Sequence, residues 1–238
     1  MEQTLILLFT TVMLFVAPGV NADLSFAANQ QFNITRTGCA VTKLCVSTPD
    51  SCDPAGNGVC LFGSVNAGTP SPPNGNQMAF ELSGNSSGFI ALGLIANASV
   101  GTSMLFVCAQ NSSGSFFFQT QTRNNTDNTL TSLNRTVTQI QGKVNGSSIQ
   151  CGFTVPNLNA SNTRSASDTT FIIILGSGTV NGNSLGNFTA SLTTGPLNLA
   201  NLTSNTSTTA APSSGTNLHS HAVLLLLSVL TLSFLKAA

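Results

Sequence analysis

The chain has 238 residues, with seven Lys or Arg, seven Asp or Glu and a formal net charge of zero at pH 7. Proteins that bind nucleic acid neutralise phosphates with clustered Lys and Arg, so charges this sparse and balanced argue against that class. Tyr and Trp are absent and only two His occur, which leaves few side chains for acid–base chemistry or metal binding.

The N-terminus carries the apolar stretch LILLFTTVMLFVAPG, followed by Val20-Asn21-Ala22. A short apolar core before small residues is typical of a secretory signal peptide rather than of a membrane span. We therefore predict a signal peptide over residues 1–22. The mature chain would begin at Asp23 and reach the outer face of a cell.

Six cysteines follow, four of them in a Pro- and Gly-rich leading segment. In an oxidising compartment an even number of cysteines predicts disulfides. We expect Cys108 to pair with Cys151 and the other four to pair among themselves. Those four are Cys39, Cys45, Cys52 and Cys60. A zinc site is the weaker alternative, because the chain has no Cys-x-x-Cys pair and no His nearby.

Strand patterns dominate from Gln77 to about Phe188. In QMAFELS, Met78, Phe80 and Leu82 alternate with the other residues, as in a half-buried strand. The segments FIALGLI, TSMLFVCAQ, GSFFFQTQT, SSIQCGFTV and TFIIILGSG follow, with turns rich in Gly, Asn and Ser between them. Short strands of this kind predict an all-β antiparallel sandwich or barrel, and we assign it to residues 23–192.

The C-terminal part begins with a stretch rich in Asn, Ser, Thr and Pro, which predicts a disordered stalk over residues 193–213. Small residues, a polar spacer and an apolar run shorter than the about 20 residues of a membrane span then end the sequence. This order is typical of a glycosylphosphatidylinositol (GPI) attachment signal. We predict attachment at Ser213, with Ser214 nearly as suitable, and removal of residues 214–238. A marginal single-pass anchor is the alternative.

Sequons for N-glycosylation are dense, which predicts a heavily glycosylated surface. Chance occurrence in a chain rich in Asn, Ser and Thr is the alternative for some of them. The eleven acceptors are Asn33, Asn85, Asn97, Asn111, Asn124, Asn134, Asn145, Asn159, Asn187, Asn201 and Asn205.

The segment Gly84-Asn85-Ser86-Ser87-Gly88 matches the Gly-x-Ser-x-Gly nucleophile elbow, which needs a strand-to-helix turn and a His base. Both His219 and His221 lie in the segment predicted to be removed, so the mature chain would have no imidazole. We interpret the motif as a hairpin turn. We predict no catalytic, cofactor-binding or metal site and expect no enzymatic activity.

The leading segment GCAVTKLCVSTPDSCDPAGNGVCLF resembles that of the DOMON domain in ferric-chelate reductase 1-like proteins. MAFELSGNSSGFIALGL, VGTSMLFVCAQ, VNGSSIQCGFTV and DTTFIIILGSG are similar to its strands, so the resemblance covers about residues 39–188. It implies an immunoglobulin-like β-sandwich, which in several relatives binds a b-type haem. In the reductases it is tied to a transmembrane cytochrome b561 module, for which we find no apolar segment of spanning length.

The resemblance also implies that a Met and a His hold the haem. The Met position of the family corresponds to Val100 here, and the segment from residue 169 to 193 contains no His. Haem iron needs strong axial donors, so we expect haem b to be absent. Met104 and Met78 are the thioethers that a different ligand pair would use.

Together these features predict a GPI-anchored extracellular glycoprotein of the plasma membrane. Its lipid would lie in the outer leaflet, and its DOMON domain would act as a ligand-binding or adhesion module for an unknown ligand or protein. The alternatives are a haem-binding redox protein related to ferric-chelate reductases and a structural coat glycoprotein.

Overall fold

The structure is a computed structural model that describes residues 23–28, 33–56, 58–70, 75–96, 101–161, 168–182, 184–202 and 208–209. The predicted signal peptide, the attachment residue Ser213 and the predicted tail after it lie outside the described residues. Within the described ranges, no helix has the length and apolar character that a membrane span requires.

The described residues form thirteen strands. They are β1 (Leu24–Phe26), β2 (Leu44–Thr48), β3 (Leu61–Pro70), β4 (Asn76–Asn85), β5 (Phe89–Ile95), β6 (Thr102–Gln110), β7 (Phe116–Asn124), β8 (Leu130–Ser132), β9 (Val137–Asn145), β10 (Ser148–Leu158), β11 (Thr170–Asn181), β12 (Ser184–Asn198) and β13 (Thr208–Thr209).

The strands lie in two sheets. The order in the first is β1-β9-β10-β4-β3-β2, and in the second it is β13-β12-β11-β5-β6-β7-β8. Neighbouring strands are antiparallel apart from β1 and β9, which run parallel. The predicted β-sandwich is confirmed, and the six segments read as strands fall in β4, β5, β6, β7, β10 and β11.

Two parts of the chain contain strands that composition did not indicate. The Cys-rich leading segment holds β2 and the first two residues of β3. Leu44 of β2 pairs with Val65 of β3, and both side chains are buried. At the other end, β12 continues to Asn198, because Leu197 pairs with Phe171 of β11 and both side chains are buried. The folded region therefore extends beyond residue 192, into the stretch assigned to the stalk.

The core between the sheets is built around phenylalanine rings. The ring of Phe153 on β10 lies 5.4 Å from that of Phe80, 5.2 Å from that of Phe106 and 5.1 Å from that of Phe118. Phe80 alternates with outward residues of β4 as the sequence pattern predicts. The four rings come from both sheets, so this cluster is one of the contacts that hold the two layers face to face.

The central strands of the second sheet, β11, β5 and β6, carry buried side chains on both faces. All seven residues of β5 are buried, and outward side chains such as Phe89, Leu105 and Phe188 form a second apolar cluster. Gly178 on β11 lies against this cluster, where an added Cβ would collide with the ring of Phe89. Burial on both sides explains why FIALGLI reads as a continuous apolar run rather than an alternating one.

Candidate binding site

The predicted disulfides are present, and the structure pairs Cys39 with Cys45, Cys52 with Cys60 and Cys108 with Cys151. The first two close small loops in the leading segment. The third joins β6 of one sheet to β10 of the other, and both of its cysteines are fully buried. It is therefore a covalent crosslink between the two sheets, within the core.

The leading segment is anchored on the first sheet by a buried cation. The Nζ of Lys43 donates to Oε2 of Glu81 at 2.8 Å and to the carbonyl of Thr35 at 2.7 Å. The hydroxyl of Ser64 donates to the same carboxylate oxygen at 2.6 Å. Glu81 looked isolated in sequence, because its partner lies 38 residues away and no local spacing connects them.

The Gly-x-Ser-x-Gly segment forms a turn, but it is not a hairpin. It connects β4 in the first sheet to β5 in the second, so the chain crosses between layers here. The hydroxyl of Ser86 accepts from the amide of Gly88 at 3.1 Å and donates to the carbonyl of Gly178 at 3.4 Å. The hydroxyl of Ser86 is thus used in hydrogen bonds that hold the backbone where it crosses from β4 to β5.

One end of the sandwich contains a cavity of about 570 Å³, here called the end cavity. It opens where β5 ends and β6 begins. Its apolar lining is Leu94, Ala96, Met104, Leu133 and Ala160, and its polar lining is Thr102, Ser103, Thr122, Asn159 and Ser161. This volume lies within the range of small-molecule sites in proteins.

Strand register brings the lining together. Met104 on β6 pairs with Leu94 on β5 and with Thr122 on β7, so the three side chains form one row across the sheet. On the opposite side, Oδ1 of Asn159 accepts from the amides of Ser161 and Asp168, each at 2.9 Å. These bonds fix the backbone after β10 at the rim of the cavity.

The donor set of the end cavity is neutral. Met104 contributes a thioether, and the other polar groups are hydroxyls and an amide, with no imidazole among the described residues that line it. Met78 is fully buried in the core and Val100 lies outside the described residues. One thioether is a poor ligand set for haem iron, so the lining does not fit that group. The described residues also contain no cluster of three His, Cys, Asp or Glu side chains.

Two arginines near the strand ends have structural partners. Burial lowers the pKa of Arg135, whose Nη2 donates to the carbonyls of Pro156 and Asn157 at 2.8 Å each. Burial also lowers the pKa of Arg123, which lies 5.4 Å from the ring centroid of Phe188. Neither guanidinium lines the end cavity, so neither supplies a charge there.

A second, polar cavity of about 310 Å³ lies at the opposite end of the sandwich. It is called the polar cavity below. It is bounded by the loop that Cys52 and Cys60 close and by the ends of β4, β9 and β10. Asn85 and Asn145, both sequon acceptors, stand at its rim.

The sequons fall mainly at strand ends and turns. Within the described residues, the exposed acceptors are Asn33, Asn85, Asn134, Asn145, Asn187 and Asn201, and the half-buried ones are Asn111, Asn124 and Asn159. The half-buried acceptors each use Oδ1 to accept backbone amides of their own turn. Asn97 and Asn205 lie outside the described residues.

Comparison with known proteins gives two partial similarities. The chain is 25% identical to a putative ferric-chelate reductase 1 of Danio rerio over 141 residues, which are 59% of this chain and 24% of that protein. It is 29% identical to a putative ferric-chelate reductase 1 of Xenopus laevis over 90 residues, which are 38% of this chain and 14% of that protein. The matched regions are thus about a quarter or less of these relatives.

No protein-family model and no solved structure match the chain. The two similarities support a relationship to the proteins named putative ferric-chelate reductase 1.

Proposed function

We propose that the chain is a GPI-anchored extracellular glycoprotein whose DOMON-like sandwich binds a neutral, largely apolar small molecule in the end cavity, without haem and without catalysis. The observation that carries this proposal is the end cavity itself, whose lining combines apolar side chains with hydroxyl and amide groups. Binding sites of this size combine apolar walls with a few polar groups that fix the orientation of the ligand.

The lining also defines the ligand class. No charged side chain lines the cavity among the described residues, so a charged ligand would lose its hydration without gaining a partner. The thioether of Met104 is flexible and polarisable and adapts to irregular apolar shapes. The hydroxyls of Thr102 and Thr122 would accept or donate one or two hydrogen bonds. A neutral molecule with one hydroxyl or carbonyl group fits best.

The proposed location at the cell surface is supported by features other than the end cavity. Three disulfides suit an oxidising compartment, and exposed sequons suit passage through the secretory pathway. The small-residue cluster at Ser213 with the apolar tail after it supports lipid attachment. Treatment of expressing cells with phosphatidylinositol-specific phospholipase C should release the protein. Replacing Ser213 and Ser214 together with Leu should abolish surface display, and display that persists would overturn the anchor.

The ligand-binding proposal is tested with the released glycoprotein and Nile red, a neutral apolar dye. We expect saturable binding that the substitution Ala96→Phe weakens at least about tenfold, because the ring would fill the cavity. Ala200→Phe, at an exposed position, is the matched control and should leave the affinity unchanged. Equal binding by the parent and both variants would show that the dye binds elsewhere.

A haem-binding redox protein is the second candidate, and the similarity to putative ferric-chelate reductase 1 proteins favours it. Met104 is then the thioether available at the end cavity. The discriminating measurement is an absorption spectrum of protein secreted with haem supplied. A Soret band with stoichiometric iron that Met104→Ala removes would support this candidate. A flat visible spectrum from folded protein supports the haem-free module.

A further inference from the structure

Two sequons meet at one corner of the first sheet. Ser148 on β10 pairs with Asn85 on β4 at one side and with Asn145 on β9 at the other. Neighbouring strands lie about 4.8 Å apart, so the two acceptors are separated by about 10 Å. The amide of Ser86 also donates to the carbonyl of Ser147 at 2.8 Å, which joins the sequons directly. They are called the paired sequons below.

The polar cavity opens beside the paired sequons. Its lining includes Gln150, whose Nε2 donates to the carbonyl of Pro54 at 3.2 Å and to the hydroxyl of Ser83 at 3.4 Å. One wall is the loop closed by Cys52 and Cys60. Hydroxyl, amide and backbone groups dominate the lining, and among the described residues that line it Lys143 is the one charged side chain. This chemistry suits a small neutral molecule rich in hydroxyl and amide groups.

The cavity would hold a free sugar only weakly. The lining contains no aromatic ring in the part of the chain that the structure describes, and each hydrogen bond to a sugar replaces one to water. A sugar that is covalently attached at the rim is different, because tethering raises its effective concentration to about the millimolar range. Two attachment points stand at this rim.

We propose that the polar cavity seats the first N-acetylglucosamine of an N-linked glycan carried by the paired sequons. The sugar would hold the loop closed by Cys52 and Cys60 against the ends of β4 and β10. The inference depends on the glycosylation in the proposed function and is independent of ligand binding at the end cavity. A failure here therefore leaves the Nile red and phospholipase results unaffected.

The test uses the full glycoprotein trimmed by an endoglycosidase that leaves one sugar on each asparagine. The double variant Ser87→Ala/Ser147→Ala removes both sequons but keeps Asn85 and Asn145 in place. We expect it to unfold about 2–4 °C below the trimmed parent. The amide hydrogens within residues 53–56 and 58–59 of the loop should also exchange faster. The matched control is Thr189→Ala, which removes the exposed sequon at Asn187 and should change neither result.

A second double variant removes the same two sequons without changing Ser87 or Ser147, and so separates loss of the sugar from loss of the serine hydroxyls. Asn85→Gln/Asn145→Gln should reproduce the lower Tm and the faster exchange of the loop. Equal Tm and exchange in the trimmed parent and both double variants would overturn the proposal. So would mass spectra of the secreted protein that show no sugar at either asparagine.

Discussion

Lys43 in the Cys-rich leading segment and Glu81 on β4 form an ion pair with a separation of 2.8 Å. The Lys43 side chain is 7% exposed and that of Glu81 is 28% exposed. The ammonium also lies 5.8 Å from the ring centroid of the fully buried Phe62. The pair therefore joins the leading segment to β4 at a place where little water competes.

We predict that Glu81→Gln lowers the free energy of unfolding by about 1–3 kcal/mol, because it leaves a buried ammonium without its counter-charge. The partial exposure of Glu81 keeps this below the about 3–5 kcal/mol of a fully buried pair. Urea unfolding of Lys43→Met, Glu81→Gln and the double variant measures the coupling energy. Strictly additive losses would show that the two groups do not interact. Lys143→Met, at an exposed lysine, is the control.

The three disulfides should differ in their contribution to stability. Cys108 and Cys151 close a loop with a sequence separation of 43, against 6 for Cys39 and Cys45. Loop-closure entropy gives about 4 kcal/mol for the longer loop and about 2.4 kcal/mol for the shorter one. We expect Cys108→Ala/Cys151→Ala to lower the denaturation midpoint more than Cys39→Ala/Cys45→Ala. The reverse order would mean that the leading segment dominates stability.

Phe153 is the ring on which the core depends most. It contacts the rings of Phe80, Phe106 and Phe118, so Phe153→Ala should cost about 3–5 kcal/mol of unfolding free energy. Phe153→Leu keeps most of the volume and should cost less. Phe26→Ala, at a side chain that is 54% exposed, is the control and should change little. A similar loss for Phe26→Ala would contradict this account of the core.

The carboxyl group of Asp127 should have a pKa below the ordinary value for Asp. Its Oδ1 accepts the backbone amide of Thr129 at 2.9 Å, and this bond lowers the pKa of the carboxyl group. A folded-state pKa below the unfolded value means that the stabilisation is present above the unfolded pKa. It is lost as pH falls through the folded pKa, so the window lies below about pH 4.

The amide proton of Thr129 reports this titration in NMR spectra. Its chemical shift should move with a midpoint below about 3.9, the ordinary pKa of Asp. Asp127→Asn should remove the transition. A midpoint at or above the ordinary value would show that the hydrogen bond does not persist in solution.

Local patterns predicted the strands that alternate or run apolar, such as β4 with Met78 and Phe80. The same reasoning missed β12, because Phe188 and Leu192 are separated by Thr and Ser and its pairing with β11 contains bulges. A strand of this composition is stabilised by packing and pairing with the neighbouring strand, and its own sequence shows no alternating apolar pattern. Which strands pair with one another also could not be predicted, because pairing joins residues that lie far apart in the sequence. The end cavity, for example, depends on the register that places Met104 beside Leu94.

The tie between Cys108 and Cys151 has a mechanical consequence. When the domain is pulled apart from its ends, the residues between these cysteines bear no load, because the covalent bond bypasses them. At about 3.3–3.6 Å per extended residue, the bypassed segment removes roughly 140 Å from the length that unfolding releases. Pulling would therefore release less length than it would from the same chain without this disulfide. The β7, β8 and β9 strands would remain closed inside the covalent loop.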